Sequence, residues 1–363
     1  MRGARALLGT FFALSFCACG STPDPWTLPG DAGEPYLLLE PAAVDDLREG
    51  IEQLERNKLS AARATFAALL AGRPGDLAAA VWLQEAQITI AERRATRMGL
   101  DSLGRDEPRS HLRDLYRRAA ENQPTSLAWF LAARIEDDGP AATLLLQRAL
   151  ELDPAMTWAH YGLAHVAARS GNWGLAREEL DQAFSLDSGH LPSLRLYAWL
   201  QAEGGDLERA ALAYESWLLH ADEDLLATQS TRERVTLDLA LVHLADGDEE
   251  RAAERLATLV PGRVDEVRRL SCLAAIEEAR DRIDAALRAA SAARDAGPGA
   301  LLPIVQEALL LEYWRGDLVA ARDAWREVLR LSDESLDLAA GLQRFRAELH
   351  LERLERTLAE TQP

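Results

Sequence analysis

Residues 149–224 read ALELDPAMTWAHYGLAHVAARSGNWGLAREELDQAFSLDSGHLPSLRLYAWLQAEGGDLERAALAYESWLLHADED, and this stretch decides the fold. Laid on itself with a shift of 34, His160, Leu163, Ala164, Gly171, Trp173, Ala176, Leu180 and Ala183 fall on Leu194, Tyr197, Ala198, Gly205, Leu207, Ala210, Tyr214 and Trp217. Large, small and turn positions therefore recur in a fixed order. Working outward, apolar residues return at helical spacing from Ala43 onward, Gly and Asp-Gly turns punctuate them, and no run alternates as a strand does. The expected fold class is all-α.

A small residue that lets a second helix pack close to the first can be followed as Ala62, Ala142, Ala176, Ala210, Ala252, Ala286 and Ala321. Three of the intervals, Ala142–Ala176, Ala176–Ala210 and Ala252–Ala286, are 34; Ala286–Ala321 is 35, a single inserted residue. Ala210–Ala252 is 42, which places about eight extra residues near 225–232. Between Ala62 and Ala142 lies one further unit, with Leu112 in place of Ala and an inserted loop expected over 95–109. The following unit is about four residues short, close to one helical turn.

This period and order resemble the tetratricopeptide repeat, an antiparallel helix pair of the same length. Pro74, Pro124, Pro154 and Pro298 fall where that family places a residue that cannot continue the second helix. The resemblance implies a right-handed α-solenoid of about eight pairs over residues 43–335. Residues 336–363, with Leu338, Leu342, Phe345 and Leu349 on one stripe, are expected to be the amphipathic helix that covers its exposed end.

Composition narrows the function. The 363 residues are 48% hydrophobic and 27% charged, enough for a large core, and carry a net charge of −19. Such a surface repels nucleic acid and anionic headgroups at long range. Lys58 is the only lysine, which removes a phosphate-loop or Schiff-base lysine almost everywhere. No HExxH, GxSxG, glycine-rich phosphate loop or DxDxDG pattern occurs, and His160 and His165 are five apart, on different faces of a helix. The acidic DGDEE at 246–250 sits at a turn, where solvated carboxylates outweigh a cation site. Cys272, flanked by leucines, reads as a small buried hydrophobe. No enzyme activity, cofactor, metal or small-molecule substrate is expected.

The N-terminus reads as an export signal over 1–18: Arg2 and Arg5, an apolar run from Ala6 to about Ala18, then small residues. That run is shorter than the roughly 20 residues a spanning helix needs. It resembles a bacterial lipoprotein signal, whose lipobox ends in a small residue before the cysteine that is lipidated. Two frames compete, ending at Cys17 or at Cys19. Cys19 is favoured because Ala18, unlike Phe16, suits the size-restricted site before the cut; secretion with cleavage elsewhere is the other alternative. Residues 19–42 hold Pro23, Pro25, Pro29, Pro35 and Pro41 among glycines and are expected to be a non-helical tether. The resemblance implies a lipid-anchored protein of the bacterial cell envelope. Gly20 and Ser21 after the cysteine, with no aspartate, favour the outer membrane facing the periplasm.

In the tetratricopeptide family first helices line a concave groove that holds peptides or partner helices. Helical spacing on this chain puts Trp158, Tyr161, His165 and Arg169 on that stripe, then Arg195 and Trp199 in the next unit, and Gln306, Tyr313 and Trp314 in the last. Aromatic and Arg side chains carry most interface energy. The first six are the candidate partner-binding residues, with packing between neighbouring pairs as the competing role for the two tryptophans. Two functions follow: a scaffold that recruits other proteins or peptides, or a structural subunit of a secretion, pilus or polysaccharide export assembly.

Overall fold

The structure is a computed structural model that describes residues 41–97, 106–223, 229–262, 265–333 and 338–361. The signal at 1–18, Cys19 and nearly all of the 19–42 tether lie outside the described residues. Among the described residues all regular structure is helical. The first four pairs are α1 (Pro41–Glu55) with α2 (Leu59–Gly72), α3 (Leu77–Arg97) with α4 (Asp106–Asn122), α5 (Ser126–Arg134) with α6 (Gly139–Leu152), and α7 (Thr157–Arg169) with α8 (Trp173–Leu186). The next four are α9 (Leu191–Glu203) with α10 (Leu207–Glu223), α11 (Gln229–Asp246) with α12 (Glu249–Ala257), α13 (Glu266–Ala279) with α14 (Ile283–Ala296), and α15 (Leu301–Leu309) with α16 (Leu318–Asp333). A final helix, α17 (Leu338–Thr361), packs on α16.

The described residues fall into two compact units. One holds those up to Leu200 together with Glu215–Arg232; the other holds Gln201–Tyr214 and those from Glu233 onward. In the first, a continuous core runs from Leu47 and Phe66 through Trp82, Phe130, Leu146, Trp158 and Leu180 to Leu196. In the second, Trp325 and Val328 of α16 are closed over by Ala347, Leu351 and Leu354 of α17. Every alanine of the repeat series is buried, at most 2% exposed. That is the closest-approach role their spacing predicts, because any larger side chain at the contact would push the two helices of a pair apart.

The turns explain the punctuation. At the start of second helices Asp138, Asn172, Asp206, Asp248 and Asp317 each accept a hydrogen bond from the backbone N–H three residues on, at 2.9–3.3 Å. Each satisfies one N–H that the first turn leaves unpaired. Asp248 is the centre of DGDEE, so that acidic cluster is a helix start. The residue closing the first helix turns left-handed at one repeat position: Gly171, Gly205, Gly247 and Gly316, with φ of +70 to +83°, but also Asn57 (+63°) and Asp281 (+58°).

Two of the irregular intervals are taken up within helices. The one-residue insertion before Ala321 is taken up as a single π-helical turn, Leu310–Arg315, at the end of α15. The extra residues near 225–232 lengthen α10 and α11 to 17 and 18 residues, against 13 for α7. Of the loop expected over 95–109, residues 95–97 belong to α3 and 106–109 to α4, and the rest lies outside the described residues. Likewise α1 begins at Pro41, two residues before the expected start of the array. Proline at a helix start has a suitable φ and lacks an N–H that would go unpaired there.

Candidate functional site

The predicted groove residues sit on α7 and α9, the first helices of consecutive pairs, and divide by exposure. Trp158, Tyr161, His165 and Arg195 are buried, whereas Arg169 is exposed and Trp199 is partly exposed. The six therefore do not make one open surface. Rings that helical spacing aims in one direction pack against each other and against the connection before α9, and this closes the stripe over most of its length. Trp158 meets His190 edge-on at 4.9 Å and Tyr161 at 6.0 Å between ring centroids, and Tyr161 meets His190 at 5.7 Å. Tyr161 and His165 rings lie 6.5 Å apart. His190, which precedes α9 and belongs to no periodic stripe, is thus a member of the cluster that helical spacing alone does not find. Its Nδ1 is 2.8 Å from Ser193 Oγ.

Burial holds both histidines neutral. It pushes the His165 imidazole down to about 3, with Arg169 and Arg195 adding in the same direction, and burial alone pushes His190 to about 3. The charge of the cluster therefore resides on the two arginines. Arg195 is 1% exposed, and neither terminal guanidinium nitrogen has a hydrogen-bond partner; His190 Nε2 is in the same position. Arg134 provides the contrast: equally enclosed, it donates to Gln84 Oε1 at 2.8 Å and Glu85 Oε2 at 3.0 Å.

Apart from these rings, Trp199 stacks on Trp173 of α8, with ring centroids 5.7 Å apart and planes 30° from parallel. Trp173 is 45% exposed, so the pair leaves indole surface in water. The three outlying candidates of the last pair have other partners. Gln306 donates to the Ser271 carbonyl at 3.1 Å, Trp314 donates to Glu278 at 2.9 Å, and Tyr313 accepts from Arg353 of α17 at 2.8 Å.

No family model matches the sequence, and no curated protein is similar to it. Among solved structures, the chain is similar to one in the APC/C hetero-tetramer Cut9–Hcn1, at 15% identity and a TM-score of 0.58. The fold is that of a tetratricopeptide-repeat solenoid. That match covers 80% of this chain and 52% of the other, so the solenoid spans about half the length of the protein it superposes on. Pseudomonas aeruginosa PilF is 24% identical over 66% of this chain and 99% of its own, with a TM-score of 0.45. A tetratricopeptide repeat protein from Parabacteroides merdae is 12% identical over 75% and 100%, with a TM-score of 0.44. The likeness to the Cut9–Hcn1 chain is one of fold. Cys272, the one thiol of the described residues, is buried at 1% exposure, and its thiol is pushed up to about 12 by that burial, so it packs and does not react.

Proposed function

We propose that the protein is a non-catalytic scaffold of the bacterial cell envelope that holds partner proteins or peptides along the first helices of its solenoid. It is carried by a lipid on Cys19 and faces the periplasm from the outer membrane. The observation that bears most on this reading is the stack of the exposed Trp173 on the partly exposed Trp199. A large aromatic pair left in water gains only when something covers it, and indole and guanidinium groups are those that carry interface energy.

The test is affinity capture from solubilised membranes with the native chain and with Trp173→Ala combined with Trp199→Ala. Loss of captured proteins with unchanged thermal stability supports the reading. Undiminished capture, or loss that merely follows a lowered melting temperature, would assign the stack to packing. A single partner recovered in one-to-one amount would instead favour a structural subunit of a larger assembly.

A further inference from the structure

We propose that the Trp173–Trp199 stack is covered by the chain's own N-terminal segment 23–29, PDPWTLP, with Trp26 and Leu28 laid on the paired indoles until a partner displaces them. The docking goes beyond the partner-binding reading above and rests on it only for what does the displacing.

One feature of the chain calls for a cover and another supplies it. The exposed Trp173, stacked on the partly exposed Trp199, leaves indole surface in water. Residues 20–40, which lie outside the described residues, join Cys19 to α1. A spacer with no other duty is polar or rich in Gly, Ser and Pro, and gains nothing from a tryptophan. This one carries Trp26 and Leu28 inside the uncharged run 25–30, PWTLPG, among Pro23, Pro25 and Pro29. Prolines hold such a segment extended before it binds, so docking costs little chain entropy, and segments of this kind lie down on aromatic side chains.

Reach and charge fit the same site. The helix α1, Trp173 and Trp199 belong to one compact unit, in which successive first helices from α1 to α7 pack on one another. Three such steps of about 8–10 Å run along the array, and the length of a 13-residue helix separates Pro41, at the start of α1, from the level of Trp173, just past the end of α7. The stack therefore lies roughly 35 Å from Pro41. Fifteen residues separate Trp26 from Pro41, about 50 Å when extended, so the segment reaches the stack of its own chain. Residues 20–40 carry Asp24, Asp31, Glu34 and Glu40 and no base. The exposed Arg177 stands one turn beyond Trp173 on the same face of α8, about 6 Å, which matches the two extended residues from Trp26 back to Asp24. A tethered segment acts at an effective concentration in the millimolar range, which favours it over a free ligand of equal affinity. With Trp26 held, seven residues join the stack to the proposed lipid on Cys19; once it is displaced, 22 lie between Cys19 and Pro41, and the array is free to rise from the membrane.

Two measurements test this. The first needs no partner: a labelled peptide of residues 21–32, STPDPWTLPGDA, blocked at both ends, is titrated against the full chain in detergent. Trp26→Ala with Leu28→Ala, which alters no described residue, is expected to bind the peptide about tenfold more tightly than the native chain does, because the native segment no longer competes. Adding Trp173→Ala to that variant is expected to weaken the peptide by about tenfold or more. Equal binding to the native chain and to Trp26→Ala with Leu28→Ala, no binding to either, or binding that survives Trp173→Ala would each overturn the proposal. So would a native chain that sediments as a dimer beside a Trp26→Ala, Leu28→Ala chain that sediments as a monomer, since the segment would then lie on a second copy.

The second, capture from solubilised membranes, separates the docking from the scaffold reading. Trp26→Ala with Leu28→Ala is expected to recover more partner than the native chain, and equal recovery would overturn displacement by a partner. Peptide binding as expected, with capture indifferent to Trp173→Ala combined with Trp199→Ala, would leave the docking standing and sink the scaffold reading at this site. Capture that depends on both tryptophans, with no chain binding the peptide, would sink the docking alone.

Discussion

Single residues show where local preference and packing pull in opposite directions. Asp281 holds φ at +58° at the turn position that four other repeats give to glycine. Its Cβ crowds the backbone there, so Asp281→Gly is expected to stabilise the α13–α14 pair by roughly 0.5–1 kcal/mol, read from the urea midpoint. Gly50 in α1 gives the opposite sign. Helix propensity alone would favour alanine by about 1 kcal/mol. However, a Cβ at Gly50 would lie 2.4 Å from the Phe66 ring, which is fully buried and stacked on Trp82, so Gly50→Ala is expected to lower stability by about 1–3 kcal/mol. His165 and His190 set a pH dependence. Their folded values lie near 3, below an unfolded value of about 6.5, so the unfolded chain binds protons first as pH falls. Their contribution is complete above about pH 6.5 and declines below it, at up to about 1.4 kcal/mol per pH unit for each residue. Denaturation at pH 7 and pH 5 checks this: His165→Gln with His190→Gln should flatten the difference, and an unchanged difference would place the dependence elsewhere. None of the three effects is legible in sequence, because each depends on what stands opposite the residue. A groove residue and a core residue can be the same Trp, Tyr or His, which is why helical spacing located the α7–α9 stripe without revealing that most of it is enclosed.

At the level of elements, the terminal helix depends on one buried carboxylate. Glu312, in the π-helical turn, accepts from Trp325 Nε1 at 2.8 Å, and His350 Nδ1 of α17 lies 2.9 Å from the same oxygen, while Arg353 of α17 forms an ion pair with the other. The His350 ring stacks on Trp325 at 4.3 Å between centroids. Of the stripe expected from Leu338, Leu342, Phe345 and Leu349, only the side chains of the last two are among those described, and neither is in the contact face. Phe345 and Leu349 are exposed, at 62% and 52%, and α17 instead packs through Ala347, Leu351 and Leu354. An amphipathic helix was legible, but its contact face was offset, since alanine contributes little to an apolar pattern while allowing the closest approach. Truncation after Asp333 would uncover Trp325 and Val328, and hydrogen exchange of the α15–α16 amides is expected to rise by orders of magnitude while α1 and α2 keep their rates. Equal acceleration throughout would mean that the pairs do not unfold as neighbours. Glu312→Gln keeps the hydrogen bond from Trp325 but removes the ion pair, and a smaller effect confined to α16–α17 is expected.

For the whole molecule, the period of 34 made the solenoid legible. One small residue per pair sets the approach of its two helices, and that requirement repeats wherever the pair does. The proposed anchoring is a separate matter and would rest on residues outside the described structure. A lipoprotein cysteine bearing two or three acyl chains holds a membrane stably, where one chain holds marginally. Cys19→Ala is therefore expected to move the protein from the membrane pellet to the soluble fraction, and Cys17→Ala to leave it in place; the reverse result would shift the cleavage frame. The π-helical turn of α15 and the long helices α10 and α11 have a consequence for descent. One added residue became a wider turn, and eight became longer rods, yet the alanine of the next pair is buried all the same. A gene for such a chain can gain or lose codons within a repeat without shifting the frame of the repeats beyond it. Related solenoids should then keep the number of their pairs while differing in length, with the differences concentrated at helix ends.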